Sequence, residues 1–268
     1  MKKNILIIAL SLMPLCGISG QTTGKAYMEY LYELSFLKDT TTTVKTHDLM
    51  MLRIGKTGSV FFSKHSYTLD SLLCSDQGAA MQMDILANGS AKYGKQIVSY
   101  AVFKDRTAKK IDYTDNVGGD HYRYEEPMPQ MDWTIRNEYK TIWEYKCQKA
   151  TCNFRGRTYE AWFTTEIPVS DGPWKFQGLP GLILEVYDTR HHYSFVYVGQ
   201  NNSEADITVL PHTYIRTSRA NYQKAVRNFL KDPVGYITGA SGMTITLSDK
   251  KTKSVATRKV KYDLLERE

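Results

Sequence analysis

The sequence lacks a hydrophobic run long enough to cross a membrane as a helix. Such a helix needs about 20 consecutive apolar residues, whereas the longest apolar stretch covers only residues 5–15. The sequence also lacks the nucleophile elbow, the H-E-x-x-H pair and the phosphate-binding loop of common enzyme classes. These absences argue against a retained transmembrane helix and favour a non-enzymatic protein that uses no cofactor.

Concentrated positive charge is missing as well. The formal net charge is +7, but the lysines and arginines are scattered along the chain, and the densest stretch, residues 250–261, alternates with Thr, Ser and Val. Nucleic-acid-binding proteins instead concentrate basic and aromatic residues on one element. We therefore expect no nucleic-acid partner, and we interpret residues 250–261 as a solvated strand face.

The first twenty residues have the three-part layout of a secretory signal peptide. Lys2 and Lys3 form a positive start, residues 5–15 form the apolar centre, and small residues follow up to Gly20. Cys16 follows a leucine rather than a small residue, so cleavage near Gly20 is favoured over lipid attachment. The sequence predicts an exported protein of the periplasm or cell envelope, with no transmembrane segment after cleavage.

Cysteine is scarce, and the predicted cleavage leaves only Cys74, Cys147 and Cys152. An odd number leaves at least one thiol unpaired. In one extended strand, Cys147 and Cys152 would lie about 16 Å apart on opposite faces, whereas a disulfide needs Cα atoms within about 7 Å. A bond from Cys74 to one of them remains open, but three small buried thiols are favoured.

Most of the mature chain alternates apolar and polar residues with the period of a β-strand. Residues 25–36 place one apolar side chain on the same face at every second position. Ser218 can cap a helix over residues 219–231, which ends before Pro233. We predict that residues 21–268 form a single domain of the mainly β (α+β) class. It would be a large curved antiparallel sheet or open half-barrel with one C-terminal helix packed on it.

The strand pattern is interrupted once and then resumes near the end of the chain. It weakens over residues 65–94, where short helices are expected at residues 70–73 and 79–86. Strands are expected again from residue 96, and after the C-terminal helix at residues 244–248 and 254–262.

The most distinctive segment lies between residues 147 and 183. It contains a Cys-Gln-Lys-Ala stretch at 147–150, a hairpin at 156–162, a Glu-Ile-Pro turn at 166–168 and the run at 172–183 that ends in Gly-Leu-Pro-Gly-Leu-Ile. These motifs resemble the GLPGLI family, also called Porph_ging. The resemblance implies an antiparallel sheet protein of Gram-negative envelopes and assigns no activity to it. A weaker similarity to lipoprotein-carrier half-barrels also indicates an open sheet.

The Gly-Leu-Pro-Gly-Leu-Ile run supplies the candidate site. Two glycines permit a turn and a proline stiffens it, and this structural motif consists of Gly178, Pro180 and Gly181. In one interpretation the turn is a packed corner of the sheet, and in the other it is the rim of a binding concavity. In the second case the predicted ligand-binding residues are Trp162, Trp174, Phe176, Leu179 and Leu182.

No metal site is assigned from the sequence, although three groups of side chains have suitable chemistry. The candidates are three histidines, four methionines and four acidic residues: His121, His191, His192; Met81, Met83, Met128, Met131; Glu166, Asp171, Glu185, Asp188. Adjacent strand residues point to opposite faces, so neighbouring histidines cannot easily share an ion. Solvated histidines and gap-filling methionines are favoured.

Two functions follow as hypotheses. The first is an exported, non-enzymatic envelope protein that binds an apolar small molecule or another envelope protein through the antiparallel sheet. An apolar, aromatic-lined cavity bridged by the C-terminal helix would favour it. The alternative is a metal-handling protein for copper or zinc, or a hydrolytic protein. Three ligating side chains within coordination distance would favour that alternative.

Overall fold

The chain is described by a computed structural model that covers residues 21–241, 262 and 264–267. The predicted signal peptide at residues 1–20 lies outside the described residues, as do the strand predicted at 244–248 and nearly all of the strand predicted at 254–262. The strands are β1 (Gln21–Phe36), β2 (Thr46–Gly55), β3 (Gly58–Ser63), β4 (Ala101–Asp105), β5 (Lys110–Val117), β6 (Asp120–Pro127), β7 (Thr134–Ile142), β8 (Tyr145–Phe154), β9 (Arg157–Thr164), β10 (Leu182–Asp188), β11 (Tyr193–Asn202), β12 (Asp206–Val209) and β13 (Ile215–Arg216). The helices are α1 (Lys64–Leu73), α2 (Gly78–Tyr93), α3 (Arg219–Lys231) and α4 (Pro233–Ser241).

These strands form one 13-stranded sheet in the order β13-β6-β5-β4-β3-β2-β1-β11-β10-β9-β8-β7, with β12 paired to β1 beside this path. Neighbouring strands are antiparallel, except that β13 runs parallel to β6. Since β13 and β7 stand at opposite ends of this order, the sheet is open. The predicted mainly β class and its large antiparallel sheet are confirmed.

Apolar and polar side chains alternate along the strands, so that the apolar ones form the core, as β1 shows. Tyr30, Tyr32 and Leu34 are buried, whereas Glu33 between them bonds His47 at the surface. Two apolar clusters result, one on each face of the sheet. The larger, here called the main face, carries these β1 residues together with α3. The smaller includes Phe62, whose ring lies 4.2 Å from that of Tyr67 in α1.

The helices between β3 and β4 are longer than the sequence predicts. Helix α1 begins at Lys64, six residues before the predicted start at residue 70. The Oγ of Ser63 caps it by accepting a hydrogen bond from the Ser66 amide (3.2 Å). The strand predicted from residue 96 begins at Ala101 instead. The backbone just before β4 bonds to a side chain instead of a neighbouring strand, because the Val98 amide donates to the Asp48 carboxylate at 3.1 Å.

Helix α3 has the predicted bounds. Its cap is also as predicted, since the Ser218 Oγ accepts from the Asn221 amide at 3.3 Å. A further helix, α4, begins at Pro233, a residue that suits the first helical position because its ring fixes φ and it has no amide hydrogen. Two C-terminal helices therefore take the place of the single predicted one. Across the described part of the chain, no helix has the length and apolar character needed to span a bilayer.

Candidate functional site

The Gly-Leu-Pro-Gly-Leu-Ile run forms a tight turn that leads into β10. Gly178 has a φ of +96°, which side chains other than hydrogen adopt with strain. At Gly181, an added Cβ would lie 2.0 Å from the backbone oxygen of Thr164. Pro180, between them, is exposed. The first glycine is thus required by conformation and the second by close packing.

The apolar residues of this segment pack inward. Trp174, Phe176, Leu179 and Leu182 are at most 1% exposed, and Trp162 is 8% exposed. This burial favours the packed-corner interpretation of the turn. Of the five predicted ligand-binding residues, Trp174 borders the cavity described below, and a role of the other four in ligand binding stays a prediction.

A buried ion pair fixes the irregular stretch at residues 171–176, ahead of the turn. The Lys104 Nζ donates to Asp171 Oδ1 (2.6 Å) and to the Gly172 and Phe176 carbonyls (2.6 and 3.2 Å). The second carboxylate oxygen accepts from Ser59 Oγ at 2.6 Å and from the partly exposed Arg106 at 3.2 Å. Burial lowers the pKa of Lys104, and the opposing charge of Asp171 limits that effect. The pair holds the turn segment against β3 and β4.

A second buried lysine connects the same segment to α3. The Lys175 ammonium, which is fully buried, donates to the Tyr124 hydroxyl (2.9 Å), to Glu126 (2.6 Å) and to Glu266. Glu266 also accepts from Arg219 at the start of α3 (2.9 Å). Burial alone would raise the pKa of Glu266, but the positive charge of Lys175 and the hydrogen bonds lower it below its usual range.

Between α3 and the main face lies a cavity of about 270 Å³, here called the α3 cavity. Its floor is a row of rings on the sheet, since Tyr113 stacks against Tyr100 and Tyr124 with centroids 5.7 and 4.9 Å apart. Tyr222 of α3 approaches the same Tyr113 ring at 5.3 Å. The other lining residues include the apolar side chains Leu34, Phe36, Val98, Val117, Trp174, Val226, Phe229, Leu230, Leu264 and Leu265.

Two polar groups stand out in this apolar lining. The Asp115 carboxylate accepts from Ser99 (2.6 Å) and Tyr222 (2.5 Å), and burial raises the pKa of Asp115 above its usual range. The Tyr100 hydroxyl is buried and has no hydrogen-bond partner among the described residues. Burial raises the pKa of Tyr100 well above 10, so its phenol is neutral and can donate. A buried donor without a partner costs about 1–3 kcal/mol, which a bound polar group would offset.

The acidic residues around the turn are each bound to a separate partner. Glu166 accepts from the Lys146 amide (2.8 Å), Glu185 pairs with Lys140 (2.5 Å), and Asp188 pairs with Arg157 (3.1 Å). With Asp171 bound to Lys104, these carboxylates hold the backbone and balance buried cations. They do not form the close pair that acid–base catalysis uses.

The other predicted groups are also dispersed. Met81 and Met83 lie on α2, while Met128 and Met131 lie in the connection from β6 to β7. His191 stacks on Tyr187 at 4.7 Å, and His192 sits beside it in the turn between β10 and β11. Cys74, Cys147 and Cys152 are free thiols.

One cluster escaped the sequence analysis. Asp70, Cys74 and His212 bring their ligand atoms within 4.8 Å of one another, and the ring of His121 stacks on His212 at 3.7 Å. Burial and the Asp70 charge raise the pKa of the Cys74 thiol to about 11. Asp70 and Cys74 are one helical turn apart, which was the available local signal. His212 lies far along the chain, in the connection from β12 to β13, and carries no such signal.

Comparison with known proteins supports the resemblance for part of the chain. Residues 155–185 match the family Porph_ging, described as a protein of unknown function. No curated protein sequence matches the chain significantly. Two solved structures of PNGF-II, in the space groups P21 and C2, are similar in fold with a TM-score of 0.52 each and with 13% and 12% identity. The similarity covers 75% of this chain but only 33% of PNGF-II, so this chain spans about a third of that protein's length.

Proposed function

We propose that this chain, which shares its turn segment with the Porph_ging family, is an exported, non-enzymatic envelope protein. It would bind a small apolar molecule with one polar group in the α3 cavity. The observation that carries the proposal is the aromatic-lined space between the main face and α3, bordered by Tyr100, whose buried hydroxyl has no hydrogen-bond partner among the described residues. Export rests on the three-part layout of residues 1–20.

The size of the cavity limits the ligand. Small-molecule sites usually have volumes of about 300–1,000 Å³, and the α3 cavity, at about 270 Å³, lies just below that range. We therefore expect a single ring system or a short acyl chain rather than a whole lipid. The aromatic and aliphatic side chains that line the α3 cavity support a small ligand more than a protein partner. The proposal therefore commits to a small ligand.

The position of the polar groups indicates how such a ligand would be oriented. Tyr100 and Asp115 both border the α3 cavity, and Tyr100 offers a donor whereas the Asp115 carboxylate accepts. A ligand hydroxyl can accept from the first and donate to the second. The apolar body of the ligand would then lie against Tyr113 and Val226.

The test compares two probe ligands by isothermal titration calorimetry. 4-Propylphenol has an apolar body and a hydroxyl, while propylbenzene has the same body without it. Tyr100→Phe should weaken 4-propylphenol binding about 2- to 13-fold, the effect of one neutral hydrogen bond of about 0.5–1.5 kcal/mol. The same substitution should leave propylbenzene binding unchanged.

A cavity-filling variant checks where the probes bind. Val226→Trp adds an indole to the α3 cavity and should abolish the binding of both probes. Val44→Trp is the matched control, because Val44 is 76% exposed and the same indole there fills no cavity. Binding of both probes at wild-type strength by Val226→Trp, folded as judged by circular dichroism, would contradict the proposal. So would the absence of any probe binding by the wild-type protein.

A further inference from the structure

The Asp70, Cys74 and His212 side chains converge on one point. The Nε2 of His212 lies 2.9 Å from Asp70 Oδ2 and 3.7 Å from Cys74 Sγ. In a tetrahedral zinc site, bond lengths of about 2.0–2.3 Å place the nitrogen about 3.6 Å from the sulfur and about 3.3 Å from the oxygen. The sulfur already has this spacing. The Asp70 carboxylate, whose side chain is 31% exposed, would have to move outward by a few tenths of an ångström.

The same distances argue against a catalytic Cys-His-Asp relay. In such a relay the carboxylate binds the ring nitrogen remote from the nucleophile. Here the carboxylate and the sulfur both approach Nε2 of His212. A shared approach to one nitrogen brings three ligand atoms around one point, which is the arrangement a bound cation needs.

His121 belongs to the cluster but is not placed to be a ligand. Its ring is nearly parallel to that of His212, with an interplanar angle of 10° and centroids 3.7 Å apart. An ion bound to His212 would lie close to the plane of that ring, and therefore too far from the plane of His121 for a Zn–N bond of about 2.0–2.1 Å. His121 instead fixes the orientation of His212 by stacking.

We propose that Asp70, Cys74 and His212 form a zinc site with three protein ligands. The fourth position would face a second cavity, of about 330 Å³, which Asp70 and His212 border. Carboxylate and imidazole ligands together with one thiolate suit Zn²⁺, whereas Cu(I) selects thiolates and thioethers. On binding, the Sγ–H bond of Cys74 is replaced by an Sγ–Zn bond, and the proton passes to solvent without any change of oxidation state. This site does not depend on the proposed ligand in the α3 cavity.

The experiment uses Co²⁺ as a spectroscopic substitute and Zn²⁺ as its competitor, with the reduced, metal-free protein. The wild-type protein should show a sulfur-to-cobalt charge-transfer band in the near ultraviolet, and Zn²⁺ should displace the cobalt and remove the band. Cys74→Ser should lose the band. Because loss of groups that merely orient a ligand already costs about 10–100-fold in metal affinity, loss of a ligand should cost at least about 100-fold in zinc affinity.

The two stacked histidines provide the matched comparison. His212→Phe keeps the aromatic stack but removes the ligand, so it should abolish the band. His121→Phe also keeps the stack and should retain the band and bind zinc within about 10-fold of wild type. His47→Ala, at an exposed histidine paired with Glu33, should leave metal binding unchanged. Far-ultraviolet circular dichroism of each metal-free variant checks that it is folded.

Three results would overturn the site. They are absence of the band in the wild-type protein, survival of the band in folded Cys74→Ser, and loss of the band in folded His121→Phe with survival in His212→Phe. A failure of propylphenol binding would leave these results untouched, so the two proposals can fail separately.

Discussion

Replacing Asp171 with alanine should destabilise the protein strongly, because it leaves the buried Lys104 ammonium without a counter-charge. Both side chains are 1% exposed. After the change, the ammonium would keep only the Gly172 and Phe176 carbonyls as partners, and the Ser59 hydroxyl would lose its acceptor. Breaking one partner of a buried ion pair costs about 3–5 kcal/mol. For a domain of this size, that corresponds to a fall of about 6–20 °C in Tm.

The assay is urea unfolding followed by tryptophan fluorescence, with calorimetric melting as a second measurement. Glu125→Ala is the matched control, since it breaks an ion pair with Lys110 in which the two side chains are 47% and 42% exposed. Exposed pairs contribute at most about 1 kcal/mol, so this variant should unfold almost like the wild type.

A double variant separates the loss of charge pairing from a general loss of packing. Asp171→Leu with Lys104→Met removes both fully buried charges together, and Arg106, which also contacts Asp171 (3.2 Å), has a side chain that is 29% exposed and can turn to solvent. Replacing a buried pair by apolar residues of similar volume is often neutral or stabilising. It should therefore recover most of the stability lost in Asp171→Ala. The reasoning is refuted if Asp171→Ala unfolds within about 1 kcal/mol of wild type, or if the double variant is no more stable than Asp171→Ala.

Three further predictions concern the turn, the cavity and α3. Gly181→Ala should cost about 1–3 kcal/mol of unfolding free energy by overpacking, because the new Cβ would lie 2.0 Å from a backbone oxygen. Gly239→Ala is the control, since a Cβ there meets nothing within 4 Å and should not destabilise the protein. Equal melting temperatures of the two variants would contradict this prediction. Since burial raises the folded-state pKa of Asp115, that group contributes stability that is fully present below its unfolded pKa and is lost as the pH rises through the folded pKa. The unfolding free energy of wild type minus that of Asp115→Asn should thus increase from pH 7 to pH 3, and a flat or falling difference would show the shift to be absent. Ser218→Ala removes the cap of α3 and should cost about 1 kcal/mol in urea unfolding, while an unchanged midpoint would show that the cap is not stabilising.

The parts of the fold that depend on local pattern could be predicted from the sequence. Alternation along β1 and the cap at Ser218 are properties of consecutive residues, and the structure has both as predicted. The start of β4 could not be predicted in this way, because Val98 is held by the carboxylate of Asp48, which is distant in the chain. Pairings of this kind leave no trace in the periodicity of either segment.

The buried lysines show the same limit at the candidate site. A lysine is normally an exposed residue, yet Lys175 is fully buried because Glu126 and Glu266 approach it from other parts of the chain. Sequence reasoning found the turn and its glycines from their conformational properties. The sequence predicts an aromatic-lined cavity beside the C-terminal helix but not the residues that line it. The row of tyrosines in the α3 cavity depends on the register of β4, β5 and β6.

The zinc cluster was missed for a related reason. Asp70 and Cys74 have a helical spacing, but they lie within the weakly patterned stretch 65–94, and their partner His212 is distant along the chain, in the connection from β12 to β13. Only the pairing of β12 with β1 and of β13 with β6 brings that connection to α1. The histidines considered from the sequence included His121, which the structure places beside His212 rather than beside His191.

The most direct measurement of the central claim is a crystal structure of the protein soaked with 4-propylphenol. The account predicts the ring of the probe between α3 and Tyr113, its hydroxyl within hydrogen-bond distance of Tyr100 and Asp115, and no probe at this place in Val226→Trp. Well-ordered probe elsewhere on the protein, with the α3 cavity free of it at saturating concentration, would contradict the account.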